Sequence, residues 1–210
     1  MKGSRNKLIA ILVGILFMLI ALLIQIFVQE LPSIIMIMEY GISEAEKILT
    51  NFELSDIFLY ALFIGGTAAF FQEIMKLFAV RFQEKEYAFW VGIGFSIIDI
   101  SVIFIEILLS FRNLSFYEYA ILLLNVASSL MFHPGTAMFL KHGLISKEVK
   151  IYFPIAFLLH LILDGGVVLS DIYVLKNPSS FAIVVSVYWS IAIFISIFVL
   201  LWGRILINEL

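Results

Sequence analysis

The sequence predicts an all-α protein, a polytopic integral membrane bundle of about six transmembrane helices. Composition is the first observation behind this. Hydrophobic residues make up 63% of the 210-residue chain and charged residues 14%, whereas soluble domains hold about 45–50% and 25%. The second observation is segmentation. The apolar residues fall into runs of the length that a helix needs to cross a ~30 Å hydrocarbon core. Such a composition excludes a water-soluble globule, a disordered chain and a nucleic-acid binder working through a basic surface. The chain has no cysteine, so disulfides, thiolate metal sites and cysteine nucleophiles are excluded too. A net charge of -3 is too small to imply an acidic or basic partner.

Cutting at charges and turn residues gives six spans: Leu8 to Val28, Ile57 to Phe82, Tyr87 to Phe111, Tyr117 to Leu140, Ile151 to Leu175 and Phe181 to Leu206. The first follows Lys2, Arg5 and Lys7 but is longer than the apolar core of a signal peptide, and no small-residue cleavage site follows it. It is expected to be a retained helix. The longest connection, Gln29 to Asp56, contains Pro32, an apolar run from Ile34 to Met38, and Ser43-Glu44-Ala45-Glu46. Acids at such a start predict an amphipathic helix lying on the outer surface. No repeat or linker divides the chain, so residues 1–210 read as one membrane domain whose motif-bearing helices occupy about 57–175. Asn113-Leu114-Ser115 matches a glycosylation acceptor, a triplet common by chance. Glu106 lies near the outer end of the third span, where it can snorkel. His142, beside Lys141, is expected in a solvated loop.

Ionisable groups inside apolar spans are costly and are functional candidates by default. The second span carries Gln72, Glu73 and Lys76, the third Asp99, the fourth His133, and the fifth His160 and Asp164. Glu73 lies eight residues before Arg81 and His133 eight before Lys141, which puts both about 12 Å deep at 1.5 Å per residue. His160 comes out roughly 15 Å deep, and Asp99 and Asp164 nearer 20 Å, by the same rise. Four helices therefore place ionisable groups in one slab. His160 and Asp164, at i and i+4, share a helix face, and so do Glu73 and Lys76 at i and i+3. Pro134 and Gly135 are expected to disturb the fourth helix and admit side chains or water. A polar cavity facing the cytoplasm is the expected result.

Taken singly, each of these residues has an ordinary structural reading: Glu73 with Lys76 as a charge pair holding helices together, His133 or His160 as a hydrogen-bonded packing residue. The shared depth is what singles them out. Two imidazoles and up to three carboxylates can bind a divalent metal such as zinc and activate a water molecule. A carboxylate can equally serve as general base while an imidazole stabilises the oxyanion. Both routes give hydrolysis inside the membrane. A proton-coupled carrier is disfavoured because no repeated half with interrupted helices is present.

The ordered set Gln72-Glu73-x-x-Lys76, Gly94-Phe95-Ser96-x-x-Asp99, His133 and His160-x-x-x-Asp164 resembles the intramembrane protease superfamily that contains PrsW, the YhfC peptidases and the CAAX prenyl proteases. The likeness is to PrsW-type proteins and covers about Leu59 to Val168. It implies a glutamate- or metal-dependent peptidase acting on transmembrane or membrane-proximal peptides, with Glu73 as base or metal ligand. His133 and His160 would then bind metal or stabilise the oxyanion, Asp164 would orient His160, and Lys76 would hold a carboxylate ionised. Gln72 stands where that family has Glu, and Asp99 where Glu is usual. A Gln-Glu pair followed by a basic residue and two later histidines is also similar to the anterior-pharynx-defective subunit of gamma-secretase, a non-proteolytic scaffold. Asp164 has no counterpart there. The resemblance thus implies an intramembrane peptidase or, alternatively, a scaffold that binds transmembrane helices.

Under a positive-inside orientation, nine cations (Lys2, Arg5, Lys7, Arg81, Lys85, Lys141, Lys147, Lys150 and Arg204) face three (Lys47, Arg112 and Lys176), with Lys76 inside a span. Both termini are therefore expected in the cytoplasm, in a cell membrane. Reporter fusions after Glu209 and within Ser43 to Thr50 should report opposite sides. The same side at both points would overturn the topology.

Overall fold

The computed structural model describes residues 2–110 and 115–209. The described residues are almost all helical: α1 (Lys2–Tyr40), α2 (Ile42–Ser55), α3 (Ile57–Arg81), α4 (Ala88–Ser110), α5 (Phe116–Ile145), α6 (Val149–Lys176) and α7 (Phe181–Asn208). Single 3-10 turns at Lys85–Tyr87 and Pro178–Ser180 lead into α4 and α7. All the described helices except α2 are long and apolar enough to cross a membrane. The protein is a helical membrane bundle of the expected class. The triplet that begins at 113, the cation at 112 and the side chain at 106 lie outside what is described.

The first span does not end where the sequence suggests. α1 runs on through Pro32 to Tyr40, about 58 Å at the rise of an α-helix. Pro32 removes one donor, that for the carbonyl of Val28. At a membrane exit, water or neighbouring groups can serve such a carbonyl, so the helix continues. The break comes at Gly41, whose φ of 77° is a left-handed value that glycine adopts without Cβ strain. α2 then follows as the expected amphipathic helix. Ala45 is buried while Glu44, Glu46 and Lys47 are exposed, with Lys47 Nζ 3.2 Å from Glu44 Oε2. Asp56 caps α3 by accepting from the Leu59 N–H, and Ser115 with Glu118 forms a capping box on α5.

α5 is the central helix. Every residue from Phe132 to Gly143 is buried, which requires neighbours on all sides, and α5 packs against α3, α4, α6 and α7. The expectation that Pro134 and Gly135 open this helix is corrected, since α5 is continuous across both. They serve packing instead. A Cβ at Gly92 of α4 would lie 2.3 Å from the Pro134 Cα, and one at Gly135 would lie 2.7 Å from the Leu200 N of α7. Helix backbones approach this closely only where side chains are missing. α1 and α4 meet in the same way at Gly14 and Gly94, and α3 and α6 at Gly65 and Gly165.

His142 is likewise not in a solvated loop. α5 extends to Ile145, and both Lys141 and His142 are buried. Lys141 Nζ donates to the carbonyls of Val80 (3.1 Å) and Gln83 at the end of α3. His142 Nδ1 lies 2.9 Å from the Leu206 carbonyl in the last turn of α7. Helix C-termini leave carbonyls without intrahelical donors, and these two side chains of α5 supply them.

The glycine contacts differ enough to be told apart by substitution. A Cβ at Gly65 would sit 2.2 Å from the Gly165 backbone nitrogen, whereas one at Gly66 would only touch Leu161 Cδ1 at 3.7 Å. Gly65→Ala should therefore destabilise the bundle by about 1–3 kcal/mol through forced separation of α3 and α6. Gly66→Ala should be neutral or stabilising by up to about 1 kcal/mol from helix propensity. Thermal or denaturant unfolding of the detergent-purified variants measures both. Equal effects would contradict the packing described.

Candidate functional site

The antiparallel contact of α3 with α6, sealed at Gly65 and Gly165, sets Glu73 beside His160. The approach of α4 to α5 at Gly92 and Pro134 sets Asp99 beside His133. The residues singled out from the sequence are all brought to one place, as their common depth requires.

Glu73 and Lys76 are wholly buried, and Lys76 Nζ lies 2.5 Å from Glu73 Oε1. The same ammonium donates to Thr136 Oγ1 at 2.8 Å and lies 5.3 and 5.6 Å from the ring centroids of Phe95 and Phe132. A lysine so placed is held by a carboxylate, a hydroxyl and two aromatic faces, which together replace its hydration. His160 Nδ1 lies 2.7 Å from Glu73 Oε1, and its Nε2 lies 3.4 Å from Asp164 Oδ2. His133 Nε2 faces Asp99 Oδ2 at 3.5 Å. The two imidazoles meet edge to face, their centroids 5.4 Å apart, with Phe132 against both. Glu73 Oε2 and His133 Nδ1 are buried and have no hydrogen-bond partner among the described residues. Buried polar atoms without partners are costly, so two in one cluster mark a place for a further polar species.

A cavity of about 320 Å³ adjoins the cluster. Gln72, Asp99, His133, His160 and Asp164 line it, whereas Glu73, in contact with His160, does not. Asp99 and Asp164 are the two acids on its surface, with 32% and 31% of their side chains exposed. The cavity continues past Gln25 and Gln29 of α1, Ile103 of α4, Asn125 of α5 and Val168 of α6. Each of these lies on the α2 side of the ionisable cluster. Toward the chain termini the bundle is closed by Val80, Val91, Phe95, Phe139 and Leu140, all buried. A cavity facing the same side as the termini was expected, and it extends toward the opposite end. Large apolar side chains close the terminal half of the bundle, whereas the wall of the cavity mixes amides and serines such as Gln25, Asn125 and Ser128 with apolar residues such as Leu22, Ile103 and Trp189.

Sequence reasoning passed over Thr136, Gln25, Gln29 and Asn125 because they do not ionise. A polar residue within an apolar run, or for Gln29 at the end of one, was the available signal for the last three. Thr136 had none, since threonine is ordinary in membrane helices.

Glu73, His133 and His160 each offer a ligand atom, and these atoms lie within 4.8 Å of one another. Two imidazoles and a carboxylate form a donor set suited to zinc and similar divalent ions, and the unpartnered Glu73 Oε2 and His133 Nδ1 fit that use. His160 has both ring nitrogens directed at carboxylates, and a ring donating on both sides has no lone pair for a metal. It would have to release one partner to act as a ligand. No protein-family model, curated protein or solved structure matches the chain.

The direction of the cavity is open to a direct check, because the natural chain is free of cysteine. Asn125→Cys should react with a membrane-impermeant maleimide supplied from the face that carries α2. Phe139→Cys should resist it from both faces. Labelling of Asn125→Cys only from the face of the termini would reverse the geometry described.

Proposed function

We propose that the protein is an intramembrane peptidase of the PrsW type, in which water activated by Glu73, alone or with a divalent metal, hydrolyses peptide bonds at or within the membrane. The observation that carries this reading is the buried Glu73–His160–Asp164 line beside His133. It combines a carboxylate with a free oxygen, an imidazole fixed at both nitrogens, and a second imidazole with a free nitrogen. Lys76 keeps Glu73 ionised by supplying a cation at hydrogen-bond distance. Glu73 Oε2 takes the proton of a water molecule admitted between it and His133 as the water oxygen bonds to the peptide carbonyl carbon, and gives that proton to the amine nitrogen as the C–N bond breaks. His160, held by Glu73 at Nδ1, turns its Nε2–H from Asp164 toward negative charge developing on a carbonyl oxygen. A zinc-like ion bound by Glu73, His133 and His160 would lower the pKa of its water toward 7. With both termini cytoplasmic, the cavity receives its peptide from the outer half of the membrane.

The alternative is a non-catalytic scaffold that binds transmembrane helices in the same cavity. One observation favours it: the member of the Gln72-Glu73 pair that lines the cavity is the amide.

Glu73→Gln keeps the side-chain shape but cannot take a proton from water. Cleavage of transmembrane peptides by the purified protein should fall about 10²–10⁴-fold in this variant. Metal content measured on the same samples separates the two routes to activated water. Equal cleavage by parent and variant removes Glu73 as the base, and a parent inactive on every peptide while still binding them establishes the scaffold.

A further inference from the structure

One wall of the cavity is made of amides in series. Gln29 Nε2 donates to the Ile64 carbonyl of α3 at 2.8 Å, Gln25 Nε2 donates to Gln29 Oε1 at 3.5 Å, and Gln72 Nε2 donates to Gln25 Oε1 at 3.1 Å. Gln72 Oε1, at the free end, is buried and has no partner among the described residues, and the residue is only 5% exposed. The oxygen and nitrogen of a side-chain amide are nearly alike in shape, so the orientation of each has to come from its partners. Here the far end decides. A backbone carbonyl can only accept, so Gln29 must turn its N–H₂ toward Ile64 and its oxygen toward Gln25. Gln25 must then turn its own oxygen toward Gln72, and what is left at the cavity is the carbonyl oxygen of Gln72.

We propose that Gln72 Oε1 is a docking acceptor for a backbone N–H of an extended peptide segment in the cavity. The proposal rests on the reading of this cavity as a peptide site. A peptide unwound inside a membrane protein carries N–H groups that neither water nor its own helix satisfies. A buried oxygen with no partner among the described residues is the complementary group, and the apolar Ile64, Ile103 and Val167 that line the same cavity suit the side chains of a membrane segment. An ionised glutamate at position 72 would not suit this place. It has no N–H for Gln25 Oε1, and reversing the chain of amides to suit it would set Gln29 Oε1 against the Ile64 carbonyl. Gln72 is therefore the residue that the relay requires, in place of a disabled acid.

The probe is a fluorescent leucine–alanine transmembrane peptide titrated onto the detergent-purified protein, together with analogues in which one backbone amide at a time is replaced by an ester. An ester keeps the chain and removes the N–H. One ester position should weaken binding to the parent roughly three- to tenfold, the range for a single hydrogen bond, and cause no weakening in Gln72→Leu. Gln29→Met, which removes the anchor at the far end of the relay, should weaken the all-amide peptide as Gln72→Leu does. The two substitutions together should do no more than either alone. If no ester position matters, if the ester effect survives in Gln72→Leu, or if no peptide binds, the acceptor role is overturned. Ester-sensitive binding without cleavage of any peptide leaves the acceptor standing and removes the peptidase reading. Cleavage by the parent with no ester-sensitive position removes the acceptor alone.

Discussion

The bundle is organised around the cost of putting charge where there is no water. Lys76 and Glu73 are wholly buried side by side, and neither could remain charged there without the other. Breaking such a pair by removing one partner leaves an uncompensated charge, typically at about 3–5 kcal/mol. The pair therefore imposes demands on its neighbours. α5 has to bring Thr136 and Phe132, α4 has to bring Phe95, and α6 has to bring His160. A cluster supplied by four helices can form only if those helices pack closely.

Glycine makes that packing available. In lipid no hydrophobic force separates a helix–helix contact from a helix–lipid contact, so shape complementarity and polar contacts carry the association. Gly65 on Gly165, Gly92 on Pro134 and Gly135 on Leu200 place backbones in near contact on three sides of the ionisable cluster. The terminal half of the bundle is then filled by Phe95, Phe139 and Leu140. The half toward α2 keeps a cavity whose wall mixes serine and amide side chains with apolar ones. One end is thus solid and the other hollow, and the polar cluster lies at the boundary.

Lys141 and His142 show why polar residues near a membrane interface are hard to assign from sequence. Their charge and position suit a loop. In the fold they are buried and donate to the C-terminal carbonyls of α3 and α7, a role set by helices that lie more than 50 residues away in the chain.

Fold class, span number and the grouping of Glu73, Lys76, Asp99, His133, His160 and Asp164 were legible in the sequence. Apolar run length reports the membrane, and helical rise converts spacing along the chain into depth. Direction around each helix axis is a different matter. Depth could not tell that Gln72 lines the cavity while Glu73 does not, nor that the cavity extends away from the termini. Those facts depend on which residues of neighbouring helices are small enough to touch and which are large enough to fill. The chain alone determined that charges share a level in the bilayer, because each helix carries its own ruler. Only the tertiary structure decided which charges pair, which nitrogen and oxygen stay free and where the space lies, because those are properties of several helices packed together.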